Sequence, residues 1–210
     1  MISRPTLTGT IELALPEFDA PPADPMPLLV AWVDTAEQLG IVEPYNVALA
    51  TSDEAGLPSN RMVLAKSFDL DGMTFATSSL SRKGHELAVR PYAAATIFWR
   101  ETRQQLRLSG PIEQVPDAES DAIWDDRPVA SQASATVSQQ STPLDDETAF
   151  RSAAAELALA GAALPRPATW VGYRLVPDEL EFWHGSVDRM HRRLRYLRTA
   201  EGWTHERLQP

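Results

Sequence analysis

Cysteine is absent from the 210 residues. Disulfides, thiolate metal ligands and cysteine nucleophiles are therefore excluded. No run of about 18 apolar residues occurs, so nothing in the sequence reads as a membrane span. The start, Met1-Ile2-Ser3-Arg4-Pro5, has no continuous apolar stretch behind it and does not read as a secretory signal. With the missing cysteine this sets a cytoplasmic expectation. Positive charge is scarce: 19 Lys and Arg stand against 29 Asp and Glu, for a formal net charge of -10 and a pI near 4.8. Such a chain is not expected to bind nucleic acid non-specifically. The ten glycines are scattered and make no phosphate-binding loop. His85, His184, His191 and His205 show no metal-ligand spacing, so no metal is expected. No serine lies in a nucleophile elbow.

What is present fits one domain with a full core, preceded by an extension. Residues 1–24 hold Pro5, Pro16, Pro21 and Pro22 and no sustained period, and read as an extended arm. Residues 25–210 read as a single domain. Asp24-Pro25 is a helix start, Leu28, Trp32, Ala36 and Leu39 repeat at helical spacing, and Gly40 ends the run. Strands are expected over residues 46–51, 59–66 and 73–78, separated by turns at 53–56 and 69–72. Ser81 caps a helix that Pro91 ends. Two more strands follow at 93–99 and 104–115, with Gly110 at a bend or bulge. Residues 117–126 and 145–160 read as helices, and residues 169–176, 179–184 and 203–208 as strands. Strands outnumber helices and adjoin in sequence. The expected class is mainly β with α, an antiparallel barrel with peripheral helices.

Three segments gather cations beside apolar or aromatic residues in this acidic chain: Arg61-Met62-Val63-Leu64-Ala65-Lys66, Ser81-Arg82-Lys83, and Arg189-Met190-His191-Arg192-Arg193 after Glu181-Phe182-Trp183. Such clusters suit a ligand with an anionic group and a flat ring. Strand alternation places Arg61 with Val63 and Ala65, and Lys66 on the opposite face. Arg82 and Lys83 open a helix, where basic residues are unfavourable unless an anion sits nearby. Arg189, His191 and Arg193 share a face if the segment is extended. Each segment also has a plainer reading: strand-end charges, a solvated turn, and structural pairing with Glu179, Glu181 and Asp188. Trp183 is either core or the wall of a ring site.

In order along the chain, these segments resemble the pyridoxamine 5'-phosphate oxidase family. Phe75-Ala76-Thr77, Arg127-Pro128 with Ser131, and Gln140-Ser141 complete the match. Leu7-Thr8-Gly9-Thr10, Trp99-Arg100-Glu101-Thr102, Leu164-Pro165-Arg166-Pro167 and the ending from Gly202-Trp203 resemble the family's phenazine-biosynthesis branch. The resemblance implies an FMN-binding split β-barrel, homodimeric, with FMN at the subunit interface. It implies FMN contacts from Arg61, Val63, Leu64, Lys66, Ala76, Thr77, Arg82, Lys83, Gln105, Gln140, Ser141, Trp183 and Arg193, several from the second subunit. Lys66, Arg127, Ser131, Arg189 and His191 would hold substrate. The family's tyrosine four residues before Arg127 is Ile123 here, and its usual Arg-Gln pair is Gln104-Gln105. The retained cations suit a carboxylated substrate.

The implied activity is oxidation of a partly reduced phenazine carboxylic acid toward the aromatic phenazine, with O2 as acceptor. The flavin carries the redox step, so no indispensable protein acid or base is expected. A pyridoxine 5'-phosphate oxidase and a non-catalytic flavin-binding barrel are the alternatives. The polar stretch 129–143 has the composition of a linker but is expected to be ordered along the active site.

Overall fold

Alternation in the strands and capping at the helices produce nine strands and five helices among the described residues. The structure, a computed structural model, describes residues 7–159 and 161–210. Residues 1–6 of the expected arm and Ala160 of the helix expected over 145–160 lie outside them. Helix α1 (Met26–Gln38) starts where the Asp24 carboxylate accepts the Met26 N–H at 3.0 Å, and it ends before Gly40, whose φ is +66°. Strands β1 (Asn46–Ser52), β2 (Pro58–Asp69) and β3 (Gly72–Ser78) form a meander. Helix α2 (Arg82–Val89) follows, capped by Ser81 Oγ, which accepts the Gly84 N–H at 3.2 Å. Next come β4 (Tyr92–Trp99) and β5 (Gln104–Gln114), then α3 (Asp117–Asp125), α4 (Val129–Val137) and α5 (Glu147–Leu159). Strands β6 (Trp170–Leu175), β7 (Glu179–His184), β8 (Arg192–Thr199) and β9 (Gly202–Arg207) complete the chain.

Every pairing is antiparallel. The order β4-β1-β2-β3-β6-β5, closed by pairing of β5 with β4, makes a six-stranded barrel, and β7-β8-β9 continue from β5 as an extension. The expected mainly β barrel with peripheral helices is thus present. Strand β5 changes partner along its length: Gln104–Ser109 pair with β7, and Ile112–Gln114 with β6. Gly110 sits at the change. It is not a bulge, because the β4–β5 register runs through Ala93↔Gly110 without a shift. Its role is close approach, since a Cβ there would lie 2.1 Å from the Val176 carbonyl oxygen.

Two further expectations change. Strand β2 runs on to Asp69, and its register shifts between Ala65 and Ser67, so Lys66 is the extra residue of a bulge and strict alternation stops before it. Arg189 has φ +69°, so Arg189 and His191 precede β8 rather than extend it, and the three-residue face is not formed. Strand β8 itself was not expected from the sequence.

The core fills the barrel and continues under α1. Leu49, Met73, Phe75, Leu106, Leu175, Leu180, Phe182 and Leu194 have no measurable exposure. Residues 7–15 have no helix or strand, yet Leu15 is buried, and a single 3-10 turn, Pro16–Phe18, places Phe18 against Trp32 at 6.2 Å between centroids. Glu17, beside it, accepts the Trp32 indole N–H at 2.7 Å. The Arg192 and Arg207 guanidinium groups also lie over the Phe18 ring, at 4.7 and 5.3 Å. Phe18 therefore joins α1 to β8 and β9. Phe18→Ala is expected to destabilise the fold by about 3 kcal/mol, the usual cost of emptying an aromatic core site. Urea unfolding measures it, and a change below about 1 kcal/mol would mean the segment is not part of the core.

Candidate functional site

Helix α2 brings its first turn to one end of the barrel. Thr51 and Ser59 face each other across β1 and β2 there, with Arg61 one inward position further along. Glu86 of α2 enters this end and is 5% exposed. Its carboxylate accepts from the hydroxyls of Thr51 and Ser59, from Arg82 Nε at 2.9 Å and from Arg61 at 3.2 Å. Burial works to raise its pKa, but these hydrogen bonds outweigh burial and hold it down to about 2. Arg61 also donates to Thr51 at 2.6 Å, to the Leu49 carbonyl at 3.2 Å and to Ser59. Glu86 escaped the sequence reading. The available signal was its spacing of four from Arg82 on one helix, together with two hydroxyls at inward strand positions.

Lys83 is the next residue of the same turn and is 8% exposed. Its Nζ contacts Ser81 Oγ and Gln140 Oε1, both at 3.2 Å, and among the described residues no carboxylate pairs with it. Burial and then the neighbouring Arg61 charge lower its pKa to about 8, against an opposing pull from Glu86. Gln140 Oε1 also accepts from Thr77 at 2.9 Å, and Ser141 Oγ accepts the Arg82 backbone N–H at 3.2 Å. The polar stretch thus reaches this turn. Its first part is helix α4, in which buried Gln132 donates to the Trp124 carbonyl and accepts from the Leu164 N–H. A cavity of about 520 Å³ opens here, lined by Arg82, His85, Glu86, Gln140 and Ser141 among others. At the helix N-terminus itself Arg61, Arg82 and Lys83 meet the Glu86 carboxylate, a formal surplus of two positive charges, and the Asp53 carboxylate also lines the cavity. Such an arrangement can hold an anion.

A second cavity, about 200 Å³, adjoins it through Gln140 and is lined by Ala76, Thr77, Arg127 and Trp170. Arg127 stacks over Trp170 and Trp124 at 5.1 and 5.8 Å and donates to the Ser131 carbonyl at 3.1 Å, while its buried Nε has no partner. Burial lowers its pKa. Ile123 packs on β6, with its Cδ1 3.3 Å from where a Cβ on Gly172 would stand. Lys66 lies 3.9 Å from the exposed Asp126 carboxylate.

The remaining candidates stand elsewhere in the chain. Gln105 faces Phe98 on one side and Trp183 on the other, and Trp183 faces Arg193. Trp183 is half-buried on the outer face, so it is not core; its ring lies 6.5 Å from Phe98 and 4.9 Å from His191. His191 Nδ1 accepts the Ser186 N–H at 3.1 Å, which places the proton of the neutral ring on Nε2. Arg193 binds the buried Glu181 carboxylate through two nitrogens at 2.7 and 3.0 Å, and Arg107 shares that carboxylate at 2.8 Å. The structural pairing of Arg193 is thus realised, whereas Asp188 bonds to Ser186 and the Met190 N–H instead. Arg189 is exposed. Val63 packs against the core, while Leu64 and Met62 point outward, 56% and 61% exposed. Strands β1 and β4 separate β2 from β5. Leu64 and Gln105 therefore sit on opposite strands of the closed barrel, with two strands between them either way round. The single chain holds the candidates as two groups.

The acid response of the site follows from Glu86. Its folded pKa is depressed from 4.5 to about 2, so its stabilisation is complete above pH 4.5 and is lost as pH falls through about 2. Urea unfolding of wild type and Glu86→Gln should converge as pH is lowered across that window, and parallel curves would show that the network does not stabilise the fold.

Comparison with known proteins fits this geometry. The pyridoxamine 5'-phosphate oxidase family profile matches residues 34–160, and the pyridoxine 5'-phosphate oxidase C-terminal dimerisation region matches residues 170–210. A dihydrophenazinedicarboxylate synthase from Pseudomonas chlororaphis is 46% identical over 98% of this chain and 92% of its own. A pyridoxine/pyridoxamine 5'-phosphate oxidase from Myxococcus xanthus is 41% identical over 90% of this chain and 93% of its own. The crystal structure of PhzG from Burkholderia lata 383 in complex with tetrahydrophenazine-1-carboxylic acid superposes with a TM-score of 0.92 at 44% identity, covering 96% of this chain and all of that one. With the barrel, the basic helix turn and both profiles in one chain, this protein belongs to the pyridoxamine 5'-phosphate oxidase family.

Proposed function

We propose that the chain is an FMN-dependent oxidase of phenazine biosynthesis, acting as a cytoplasmic homodimer on partly reduced phenazine carboxylic acids. The observation that carries this reading is the likeness, over nearly the whole chain, to a protein crystallised with tetrahydrophenazine-1-carboxylic acid. When bound, FMN would supply a two-electron acceptor that O2 returns to its oxidised state. The residues fit the cofactor. The surplus of two positive charges at the start of α2 matches a phosphate dianion, and Lys83 has a buried ammonium with neutral contacts only.

Arg61, Arg82, Lys83 and Ser141 would hold the phosphate. Val63, Leu64, Lys66, Ala76, Thr77 and Gln140 would line the ring from the same subunit. Gln105, Trp183 and Arg193 would come from a second copy, which accounts for their distance within one chain. Outward-facing Met62, Leu64 and Phe98, all about half exposed or more, supply apolar surface for that association. Bidentate arginine suits a planar carboxylate. Arg127, Arg189 and Lys66 would neutralise the substrate acid group, Ser131 would donate a hydroxyl, and His191 would donate from Nε2. Ile123 offers no hydroxyl and faces β6, so the second cavity lacks one donor that a phosphate ester would use. Loss of two electrons and two protons brings the substrate closer to an aromatic ring and needs no strong protein base.

The purified protein should show a flavin absorption spectrum. Without oxygen, a reduced phenazine-1-carboxylic acid should bleach it and pyridoxine 5'-phosphate should not. Bleaching by the vitamin ester alone would make this a vitamin oxidase, and bleaching by neither would make it a flavin carrier. Gln140→Ala should weaken FMN binding by roughly 1 kcal/mol, the scale of one net hydrogen bond. Unchanged affinity in a fluorescence titration would remove Gln140 from the site.

A further inference from the structure

Glu86 is the residue the proposed function leaves unexplained. A buried carboxylate at an anion site opposes anion binding by its charge, and burial of an ionised group is costly without full hydrogen bonding. Here that bonding is complete. Two hydroxyls and two guanidinium groups converge on it from β1, β2 and α2. Arg61 and Arg82 both pair with this one side chain, Arg61 also donating to Thr51, Ser59 and the Leu49 carbonyl. Lys83 does not; it faces Arg61 from β2 and Glu86 from its own helix, with neutral contacts to Ser81 and Gln140.

We propose that Glu86 is a positioning residue for the cofactor phosphate: it fixes Arg61 and Arg82 in place and keeps Lys83 charged beside them. The inference rests on the FMN reading above. Without Glu86, three cations would crowd one helix turn. The two arginines would separate, and Lys83, already lowered to about 8 by burial and Arg61, would lose its proton at still lower pH. Two effects oppose each other, the anion's repulsion of phosphate and its ordering of the cations. Ordering prevails because a misplaced guanidinium forfeits a charge-assisted bond made at contact, whereas the repulsion is already offset by the paired arginines.

The test titrates FMN and riboflavin into the full-length chain stripped of flavin, from pH 6 to pH 9. In wild type, FMN should bind more tightly than riboflavin, and the preference should fall as pH rises through about 8. Glu86→Gln should weaken FMN about tenfold, the scale of one charge-assisted hydrogen bond, with riboflavin nearly unchanged. Its alkaline fall should move to lower pH. Glu86→Asp keeps the charge but not the reach. It should lose part of the FMN preference while its alkaline fall stays in place, and it decides the matter if Glu86→Gln does not fold. Equal or tighter FMN binding by Glu86→Gln, or equal loss of both flavins, overturns the proposal and leaves the FMN reading standing. A wild type that binds riboflavin as well as FMN overturns both.

Discussion

Strand β5 carries two obligations at once, and the molecule is arranged around them. Along one edge it closes the barrel with β4; along the other it pairs first with β7 and then with β6. A strand cannot serve two partners on one edge without a place to change over. Gly110 is that place, where the Val176 carbonyl approaches too closely for any Cβ. The barrel and its three-stranded extension therefore share backbone hydrogen bonds rather than merely touching. The hydrophobic core runs through both, from Phe75 and Tyr173 to Phe182 and Tyr196.

That sharing sets where charge can be placed. Most inward positions on β1, β2, β5, β7 and β8 carry apolar side chains, and the polar ones lie toward strand ends, as buried Gln104 does at the start of β5. Thr51, Ser59 and Arg61 do so under α2. On the outer face the row Thr96, Arg107, Glu181 and Arg195 crosses four strands in register. Glu181 is 2% exposed there because Arg107 and Arg193 cover it. Both groups of candidate residues thus contain one device, a buried carboxylate paired with two guanidinium groups.

Much of this was legible in the sequence. Asp24 and Ser81 announce helix starts through a side-chain oxygen placed to accept a backbone N–H, and the turn at residues 53–56 carries a glycine with φ +83°. Period-two alternation made β1 and β4 readable because, Thr51 aside, their inward residues are apolar. Strand β8 was hidden because Arg192, Arg193, Arg195 and Arg198 make it look like a charged patch; only Leu194 and Tyr196 face inward and fully buried. Helix α4 was hidden because it buries Gln132 and Ala133 rather than a large apolar stripe. Glu86 was hidden because its partners come from two strands distant in sequence, and no local pattern records that meeting.

The place of β6 in the barrel has a consequence for synthesis. Strands β1 to β5 are made first, and residues 115–169, which include three helices, separate them from β6. Yet β6 lies between β3 and β5 and supplies the remaining side of the barrel. Until residue 175 has left the ribosome, β3 and the far half of β5 keep unpaired edges, and Met73, Phe75 and Ile112 lack their cover. Such edges invite pairing with other chains. Any intermediate in which β1 to β5 pair before β6 is in place therefore leaves those edges open.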